Sequence, residues 1–203
     1  MNMKDTYNLI AEDWVNDHEK DSWGKPGADM FMKYLSAGAT VLDVGCGGGI
    51  KTSYIAQNGF DAKGIDFSEK MIEIARRHYP NLKFSVLDMY EIDTYPETVN
   101  GIFVQAALLH IRKDRALEVL KKMVDKLHPK GILYVAVKGM RENGIEEEVK
   151  TENDYGYEYQ RFFSYYSIDE LRNYYQELGL EVVWESGVDT GASQWLQIIG
   201  RKI

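Results

Sequence analysis

The composition of this 203-residue chain is typical of a single globular domain, because 44% of its residues are hydrophobic and 12% are aromatic, enough for one apolar core. Its 32 acidic residues outnumber the 24 basic ones, and the formal net charge of −8 excludes a broad cationic surface for nucleic acid or an anionic membrane. The first residues contain no apolar signal-peptide core, and no stretch has the ~18 consecutive apolar residues of a membrane span, so we expect a soluble, cytoplasmic protein.

Residues 40–138 alternate between strand-like and helix-like hydrophobic patterns, which predicts βα units and a parallel sheet. A first strand over residues 41–44 leads into several glycines, and a helix follows over residues 51–58. A second strand covers residues 62–66 and is followed by Ser68, a typical helix N-cap. Both strands are short and apolar, as buried parallel strands are.

The same alternation continues along the chain. The second helix ends at Pro80, and further strands are predicted over residues 82–87 and 101–107. Residues 114–127 carry apolar side chains at spacings of three and four, which indicates an amphipathic helix packed on the sheet. A fifth strand is expected over residues 132–137.

The carboxyl-terminal part differs in composition from the central region. Residues 139–154 are polar, whereas seven of the twelve residues 155–166 are aromatic. Ser167 opens a capping box for another helix. Two final strands over residues 180–185 and 194–200 are expected to form an antiparallel hairpin.

The whole set of elements predicts an α/β, Rossmann-like, doubly wound sheet of seven strands, mostly parallel with an antiparallel carboxyl-terminal hairpin. We expect residues 1–203 to form one domain. The single cysteine, Cys46, excludes an internal disulfide and cannot build a thiolate metal site by itself.

The main candidate binding site is a glycine-rich turn directly after the first strand. Four glycines within residues 45–49 let the backbone approach a ligand without obstruction by Cβ atoms. Asp66 follows Gly45 by 21 residues, at the predicted end of the second strand, where a carboxylate can accept hydrogen bonds from a ribose diol. This pattern indicates a nucleoside-containing cofactor. NAD is disfavoured because Ile50 occupies the third glycine position of the dinucleotide fingerprint.

A resemblance to the class I S-adenosylmethionine-dependent methyltransferases rests first on the motif Asp43-x-Gly45-x-Gly47-x-Gly49. Residues 64–68, 88–89 and 105–110 resemble the second, third and fourth motifs of that family, and residues 127–131 resemble its L-x-P-G-G turn. The resemblance implies S-adenosylmethionine as cofactor and S-adenosylhomocysteine as product. The cofactor-binding residues that it implies are Asp43, Gly45, Cys46, Gly47, Gly49, Asp66, Phe67, Asp88, Met89, Gln105 and Ala106.

His110 is the candidate catalytic residue, because it follows the fourth strand on the same sheet edge as the glycines. A near-neutral imidazole at this place can take a proton from a hydroxyl or an amine, and a histidine that only shapes the pocket wall fits equally well. Cys46 is interpreted as a packing residue, since no base lies near it in sequence. No metal site is predicted from the spacing of the other histidines. Asn100 and Leu109 depart from the family pattern, which affects the catalytic assignment rather than cofactor binding.

Residues 1–36 resemble the amino-terminal helical lid of the same family. Tyr7, Trp14 and Trp23 are its aromatic side chains, and we expect them to exclude water when both ligands are bound. Tyr7 and Trp14 are also expected to reach the substrate. A purely structural role, in which these rings hold the first helix against the core, fits the same residues.

Residues 139–166 are interpreted as an insertion that builds the substrate pocket. Within it Tyr159 belongs to an aromatic wall, and Arg161 is expected to pair with an anionic substrate. The alternative is an ordinary half-buried edge strand with a solvated Arg161.

The predicted function is transfer of a methyl group from S-adenosylmethionine to a small-molecule acceptor by in-line displacement, which requires a nucleophile aligned at ~3 Å and desolvated. A tRNA-modifying methyltransferase with a local basic patch and a protein that binds the cofactor without turnover are the alternatives, and an NAD-dependent dehydrogenase is a third. Nucleic acid and membranes are not expected partners. The sequence leaves open the acceptor, the methylated atom and the choice between monomer and homodimer.

Overall fold

The computed structural model describes residues 2–18, 24–141, 143–190 and 193–203. Within these ranges the helices are Met3–His18 (α1), Lys25–Lys33 (α2), Ile50–Gln57 (α3), Glu69–His78 (α4), Lys113–Asp125 (α5) and Ile168–Glu177 (α6). The strands are Thr40–Val44 (β1), Asp61–Asp66 (β2), Lys83–Val86 (β3), Val99–Gln105 (β4), Leu127–Lys138 (β5), Glu147–Glu152 (β6), Tyr159–Ser164 (β7), Leu180–Asp189 (β8) and Gln194–Lys202 (β9).

The main sheet has seven strands in the order β3-β2-β1-β4-β5-β9-β8. Strands β1 to β5 pair in parallel, whereas β9 is antiparallel to both β5 and β8. This arrangement confirms the predicted fold class. Because the strand order reverses between β1 and β4, a crevice opens at their carboxyl ends, where ligands bind in sheets of this kind.

Local sequence signals explain where the helices next to this crevice begin. The hydroxyl of Ser68 accepts a hydrogen bond from the backbone N–H of Met71 at 3.1 Å, which caps α4. Ser167 caps α6 in the same way through the N–H of Glu170. The carboxylate of Glu170 pairs with Lys113 at 3.0 Å instead of completing the capping box.

Two predicted boundaries are wrong for reasons visible in the backbone. The helix predicted over residues 114–127 ends at Asp125, and Leu127 begins β5, where it pairs with Val99. The fourth strand ends at Gln105 because Ala106 has a φ of 56°, outside the extended region.

The predicted insertion, residues 139–166, contains a two-stranded antiparallel sheet of β6 and β7. Its strand β6 lies in the polar stretch, where the sequence gives no strand signal. Tyr155 and Tyr157 lie in the turn before β7, so of the alternating tyrosines Tyr159 alone is in a strand. Gly156, with a φ of 84°, breaks the extended conformation between them.

A search of the described residues finds no helix with the length and apolarity needed to cross a membrane. The same part of the chain contains no group of three or more histidine, cysteine, aspartate or glutamate side chains placed to hold a metal ion.

Candidate active site

The glycine-rich turn after β1 is held against β2 by its own backbone. The N–H groups of Gly45 and Cys46 both donate to the carbonyl oxygen of Ile65, at 2.8 and 3.0 Å. Gly45 has a φ of 73°, and a Cβ atom there would lie 2.3 Å from the Cβ of Ala107. Glycine is therefore required at this position both by conformation and by contact.

Asp66, at the carboxyl end of β2, fixes the same turn from the other side. Its Oδ2 accepts the N–H of Gly47 at 3.0 Å, and its Oδ1 accepts the N–H of Ser68 at 2.8 Å. Burial raises the pKa of this carboxyl to about 6. Each carboxylate oxygen can accept more than one hydrogen bond, so Asp66 retains acceptor capacity for a ribose diol.

Asp43 is the second buried carboxyl at this edge, with a side chain that is 2% exposed. Its Oδ2 accepts a hydrogen bond of 2.6 Å from the hydroxyl of Thr52. Burial raises its pKa to about 7, because a low-dielectric environment disfavours the charged form. A cationic ligand group in the adjoining cavity would stabilise the carboxylate.

Gln105 supplies an acceptor for which the described residues offer no partner. Its Oε1 is buried and makes no hydrogen bond to any of them, and its side chain lines the crevice next to Ala106. A buried amide oxygen without a partner costs free energy. Together with the carboxylates of Asp43 and Asp66, this oxygen fits the ammonium and hydroxyl donors of S-adenosylmethionine.

The other residues implied for the cofactor lie on both sides of a narrow cleft. Phe67 and Met89 line it with Gly45 and Gly47. Asp88 accepts the N–H of Tyr90 at 3.0 Å, which caps the short helix that follows β3.

Cys46 and Gly49 have packing roles in the turn. The pKa of the Cys46 thiol is raised by burial, and the side chain packs against the buried cluster of Ile72, Ala75 and Phe84. Gly49 has a φ of 83°, and a Cβ there would lie 2.7 Å from the ring of Phe84. The packing interpretation of Cys46 agrees with these contacts.

Helix α1 covers the cleft, as the lid prediction requires. The ring of Tyr7 lies edge-to-face on Phe67, with centroids 5.7 Å apart. Trp14 lies over Gly47, where a Cβ would be 3.3 Å from the indole ring. Trp23, the third predicted lid residue, lies outside the described residues.

Both ring nitrogens of His110 have partners in the protein. Nδ1 is 2.7 Å from the carbonyl oxygen of Phe162, and Nε2 is 2.7 Å from the hydroxyl of Tyr7. Burial is the largest cause that lowers the pKa of His110, to about 3, and the positive charges of Arg161 and Lys138 lower it further. The imidazole is therefore neutral at physiological pH.

A second cavity, of about 230 Å³, adjoins the glycine turn. Its walls bring together Tyr7, Trp14, His110 and Arg161, four of the residues proposed from the sequence. The guanidinium of Arg161 forms two hydrogen bonds with Glu152, of 2.5 and 2.7 Å.

Tyr159 lies outside the walls of this cavity, contrary to the predicted aromatic wall. Its hydroxyl donates to Asp154 at 2.9 Å, and its ring stacks on Tyr155 at 5.6 Å. The walls contain Phe163, which follows Arg161 in the predicted aromatic wall, together with Lys138 and Trp195, which the sequence analysis did not select. The position of Lys138 at the carboxyl end of β5, on the same sheet edge, is the one signal that points to it.

Comparison with protein families shows what the central part of the chain is similar to. Residues 41–131, just under half of the chain, match the family model of the methyltransferase domain. This segment runs from β1 into β5 and contains the four motifs of the crevice. The fold and the matched segment agree with the resemblance to class I methyltransferases.

Two curated relatives align with parts of the chain. Over 41 residues the chain is 58% identical to a ubiquinone biosynthesis O-methyltransferase of Bordetella avium (strain 197N). This alignment covers 20% of this chain and 17% of the relative. Over 131 residues the chain is 28% identical to a trans-aconitate 2-methyltransferase of Delftia acidovorans (strain DSM 14801 / SPH-1). This alignment covers 62% of this chain and 48% of the relative. The alignments therefore span less than half the length of these relatives.

Solved structures share the fold over almost the whole chain. The 1,6-didemethyltoxoflavin-N1-methyltransferase of Burkholderia thailandensis, crystallised with 1,6-didemethyltoxoflavin and S-adenosylhomocysteine, has a TM-score of 0.76 at 17% identity, covering 98% of this chain and 87% of that chain. The cyclase SpnF has a TM-score of 0.75 at 16% identity, covering 98% and 94%. At these identities the likeness shows the fold alone, and a cyclase among the neighbours illustrates that fold does not fix the reaction.

Proposed function

We propose that this protein is a cytoplasmic S-adenosylmethionine-dependent methyltransferase that acts on a small-molecule acceptor. The observation that carries the proposal is the position of Asp66, whose buried carboxylate joins the glycine turn to the start of α4. Such a carboxylate next to backbone that requires glycine suits a nucleoside ligand. The match of residues 41–131 to the methyltransferase domain supports the same cofactor.

Each group at the sheet edge has a proposed role in holding the cofactor. Asp66 accepts the ribose hydroxyls, Asp43 faces the amino-acid end, and Gln105 accepts from its ammonium group. Asp88 and Met89 lie at the adenine end, and Phe67 with Tyr7 closes the cleft. When bound, S-adenosylmethionine supplies a methyl group on a sulfonium, already activated for in-line displacement.

The protein's own contribution is to align the acceptor and exclude water. The α1 lid covers the crevice, and residues 139–166 supply one wall of the acceptor cavity through Arg161 and Phe163. His110 is proposed as a positioning residue, since its neutral ring holds the hydroxyl of Tyr7 on one side and β7 on the other. Because its pKa is low, His110 is a weak base, and we attribute the rate of methyl transfer to alignment and desolvation of the acceptor.

A small acceptor fits better than a nucleic acid. The cavity has a volume of about 230 Å³ and is lined by aromatic, aliphatic and a few charged side chains, and the chain has a net charge of −8, which opposes binding of a polyanion. The names of the relatives, which specify small-molecule methylation, point the same way.

The test is formation of S-adenosylhomocysteine from S-adenosylmethionine in the presence of a panel of carboxylic acids, phenols and amines. Turnover with at least one acceptor, lost in Asp66→Asn, is the expected result. Binding of the cofactor without turnover of any acceptor would favour the alternative of a cofactor-binding protein. Turnover with tRNA alone would favour the RNA-modifying alternative.

A further inference from the structure

Lys138 is a partly buried cation that has no anionic partner among the described residues. Its side chain lines the acceptor cavity at the carboxyl end of β5. In the described part of the chain its Nζ has no ion pair and no hydrogen bond, and its contacts are with rings: 4.3 Å to the centroid of Phe163 and 5.9 Å to that of Trp195. A charge in such surroundings is costly unless a ligand compensates it.

The surrounding charges do not compensate it either. Glu148 is shared by Arg141 and Lys150, at 3.2 and 3.7 Å, and also accepts a hydrogen bond from Tyr165. Among the described residues, four cations therefore lie close to two carboxylates here, although the whole chain carries a net charge of −8. The cations are Lys138, Arg141, Lys150 and Arg161, and the carboxylates are Glu148 and Glu152.

The titration behaviour of Lys138 agrees with an excess of positive charge. Burial, and after it the positive charges of Lys150, Arg161 and Arg141, lower its pKa to about 8 against an opposing effect of Glu152. An anion beside Nζ would raise this pKa and stabilise the charged ammonium. Because Glu152 already pairs with Arg161, Lys138 is the cavity cation that the described residues leave uncompensated, which suits a singly charged group better than a phosphate dianion.

The cavity wall beside Lys138 is apolar, whereas Asp43, Gln105 and His110 line other parts of the same cavity. Phe163 and Trp195 flank Lys138, and Trp14 and Leu109 line the same space. A ligand with a flat apolar body and one anionic end matches both parts of the wall.

We propose that the methyl acceptor is an aromatic or otherwise apolar carboxylic acid, whose carboxylate is recognised by Nζ of Lys138 beside Phe163 and Trp195. That the bound acid is a methyl acceptor rests on the proposed methyltransferase function, whereas the anion site depends only on the residues of this cavity. Lys138 is a specificity-determining residue, because a neutral analogue of the acid would leave its charge without a partner.

The test uses benzoate and its neutral analogue benzamide, with binding followed by tryptophan fluorescence and by calorimetry on the full chain. Wild type, Lys138→Met and Lys138→Arg are compared. The matched control is Lys150→Met, which removes the same charge from a cation that is paired with Glu148 and is not in the cavity wall. Calorimetry with S-adenosylhomocysteine on each variant is a separate arm.

We expect wild type to bind benzoate at least about tenfold more tightly than benzamide, which corresponds to about 1.4 kcal/mol. This preference should be lost in Lys138→Met and retained in Lys138→Arg and Lys150→Met. Equal affinities in the wild type, no binding of benzoate, or an unchanged preference in Lys138→Met would overturn the proposal. If benzoate binds through Lys138 while S-adenosylhomocysteine does not bind, the anion site stands and the methyltransferase function fails.

Discussion

The hydroxyl of Tyr7 and Nε2 of His110 lie 2.7 Å apart, so the lid helix is hydrogen-bonded to the segment that follows β4. The carbonyl of Phe162, 2.7 Å from Nδ1, can only accept a hydrogen bond. Nδ1 therefore carries the ring proton, and Nε2 accepts from Tyr7. The pair fixes both the tautomer of the histidine and the position of α1 over the cofactor cleft.

Replacing Tyr7 by Phe tests whether this hydrogen bond positions the lid. We expect kcat/KM for the acceptor to fall by about tenfold to a hundredfold. Nε2 of His110 loses its hydrogen-bond donor, and α1 loses its hydrogen bond to the segment after β4. Affinity for S-adenosylhomocysteine should change by less than about threefold, because the Phe ring retains the contact with Phe67. An unchanged kcat/KM would show that the hydrogen bond between Tyr7 and His110 is not needed for turnover.

The protonation of His110 gives a second prediction. Its pKa is lowered to about 3, whereas in the unfolded chain it has an ordinary value near 6.5. The folded protein therefore binds fewer protons below pH 6.5, and the stability from the neutral ring is lost as the pH falls from 6.5 towards 3. Nitrogen-15 shifts of the ring should report a neutral Nδ1–H tautomer at pH 5. A titration midpoint between pH 6 and 7 would contradict this environment.

Asp43→Asn should stabilise the protein without ligand at alkaline pH. The pKa of Asp43 is raised to about 7, so the folded state keeps a proton that the unfolded state releases, and this contribution to stability is lost as the pH rises towards 7. Asparagine is neutral and can still accept from Thr52. We expect the variant to be more stable by about 1–2 kcal/mol at pH 8, with weaker affinity for S-adenosylmethionine.

The measurement for Asp43 is urea unfolding between pH 4 and 8, in which the two stability curves should converge near pH 4. Asp125→Asn, at an exposed position in α5, is the control and should change stability by less than about 0.5 kcal/mol. Parallel curves for wild type and Asp43→Asn across this range would show that the carboxyl is ionised in the folded state.

Gly45→Ala and Gly38→Ala form a pair that separates contact from backbone strain. Both glycines have a positive φ, of 73° and 72°. A Cβ at Gly45 meets Ala107 at 2.3 Å, whereas a Cβ at Gly38 meets no described atom within 4 Å. Each variant should lose about 1 kcal/mol from strain, and Gly45→Ala should lose about 1–3 kcal/mol more from overlap. Equal losses in thermal or urea unfolding would rule out a steric role for the glycine.

The sequence carries enough information for the sheet and for the cofactor side of the site. Short-range signals determine that part: the glycines of the turn, Asp66 at a strand end and Ser68 as a cap all act within their own βα unit. The structure places each of them where the motif pattern predicts. The parallel pairing of β1 to β5 was predicted from the alternation of elements, whereas their order in the sheet comes from the structure.

The cavity proposed for the acceptor was harder to predict from the sequence, because contacts between residues far apart in the chain form it. In the sequence Lys138 resembles any lysine at a strand end, and its burial depends on Phe163 of β7 and Trp195 of β9. Tyr159 shows the converse: its alternation with Tyr155 suggested a pocket wall, yet its ring stacks on its neighbour away from the cavity. Strand β6 was not predicted because its alternating residues are mostly charged.

The most direct test of the proposed function is calorimetric titration of S-adenosylmethionine and S-adenosylhomocysteine into wild type and Asp66→Ala. The variant removes the acceptor that Gly47 and Ser68 share with the proposed ribose. We expect one-to-one binding to wild type with a dissociation constant of about 1–100 μM, near −8 to −5 kcal/mol, and loss of binding in the variant. Failure of the folded wild-type protein to bind either compound would contradict the assignment of this crevice as a cofactor site.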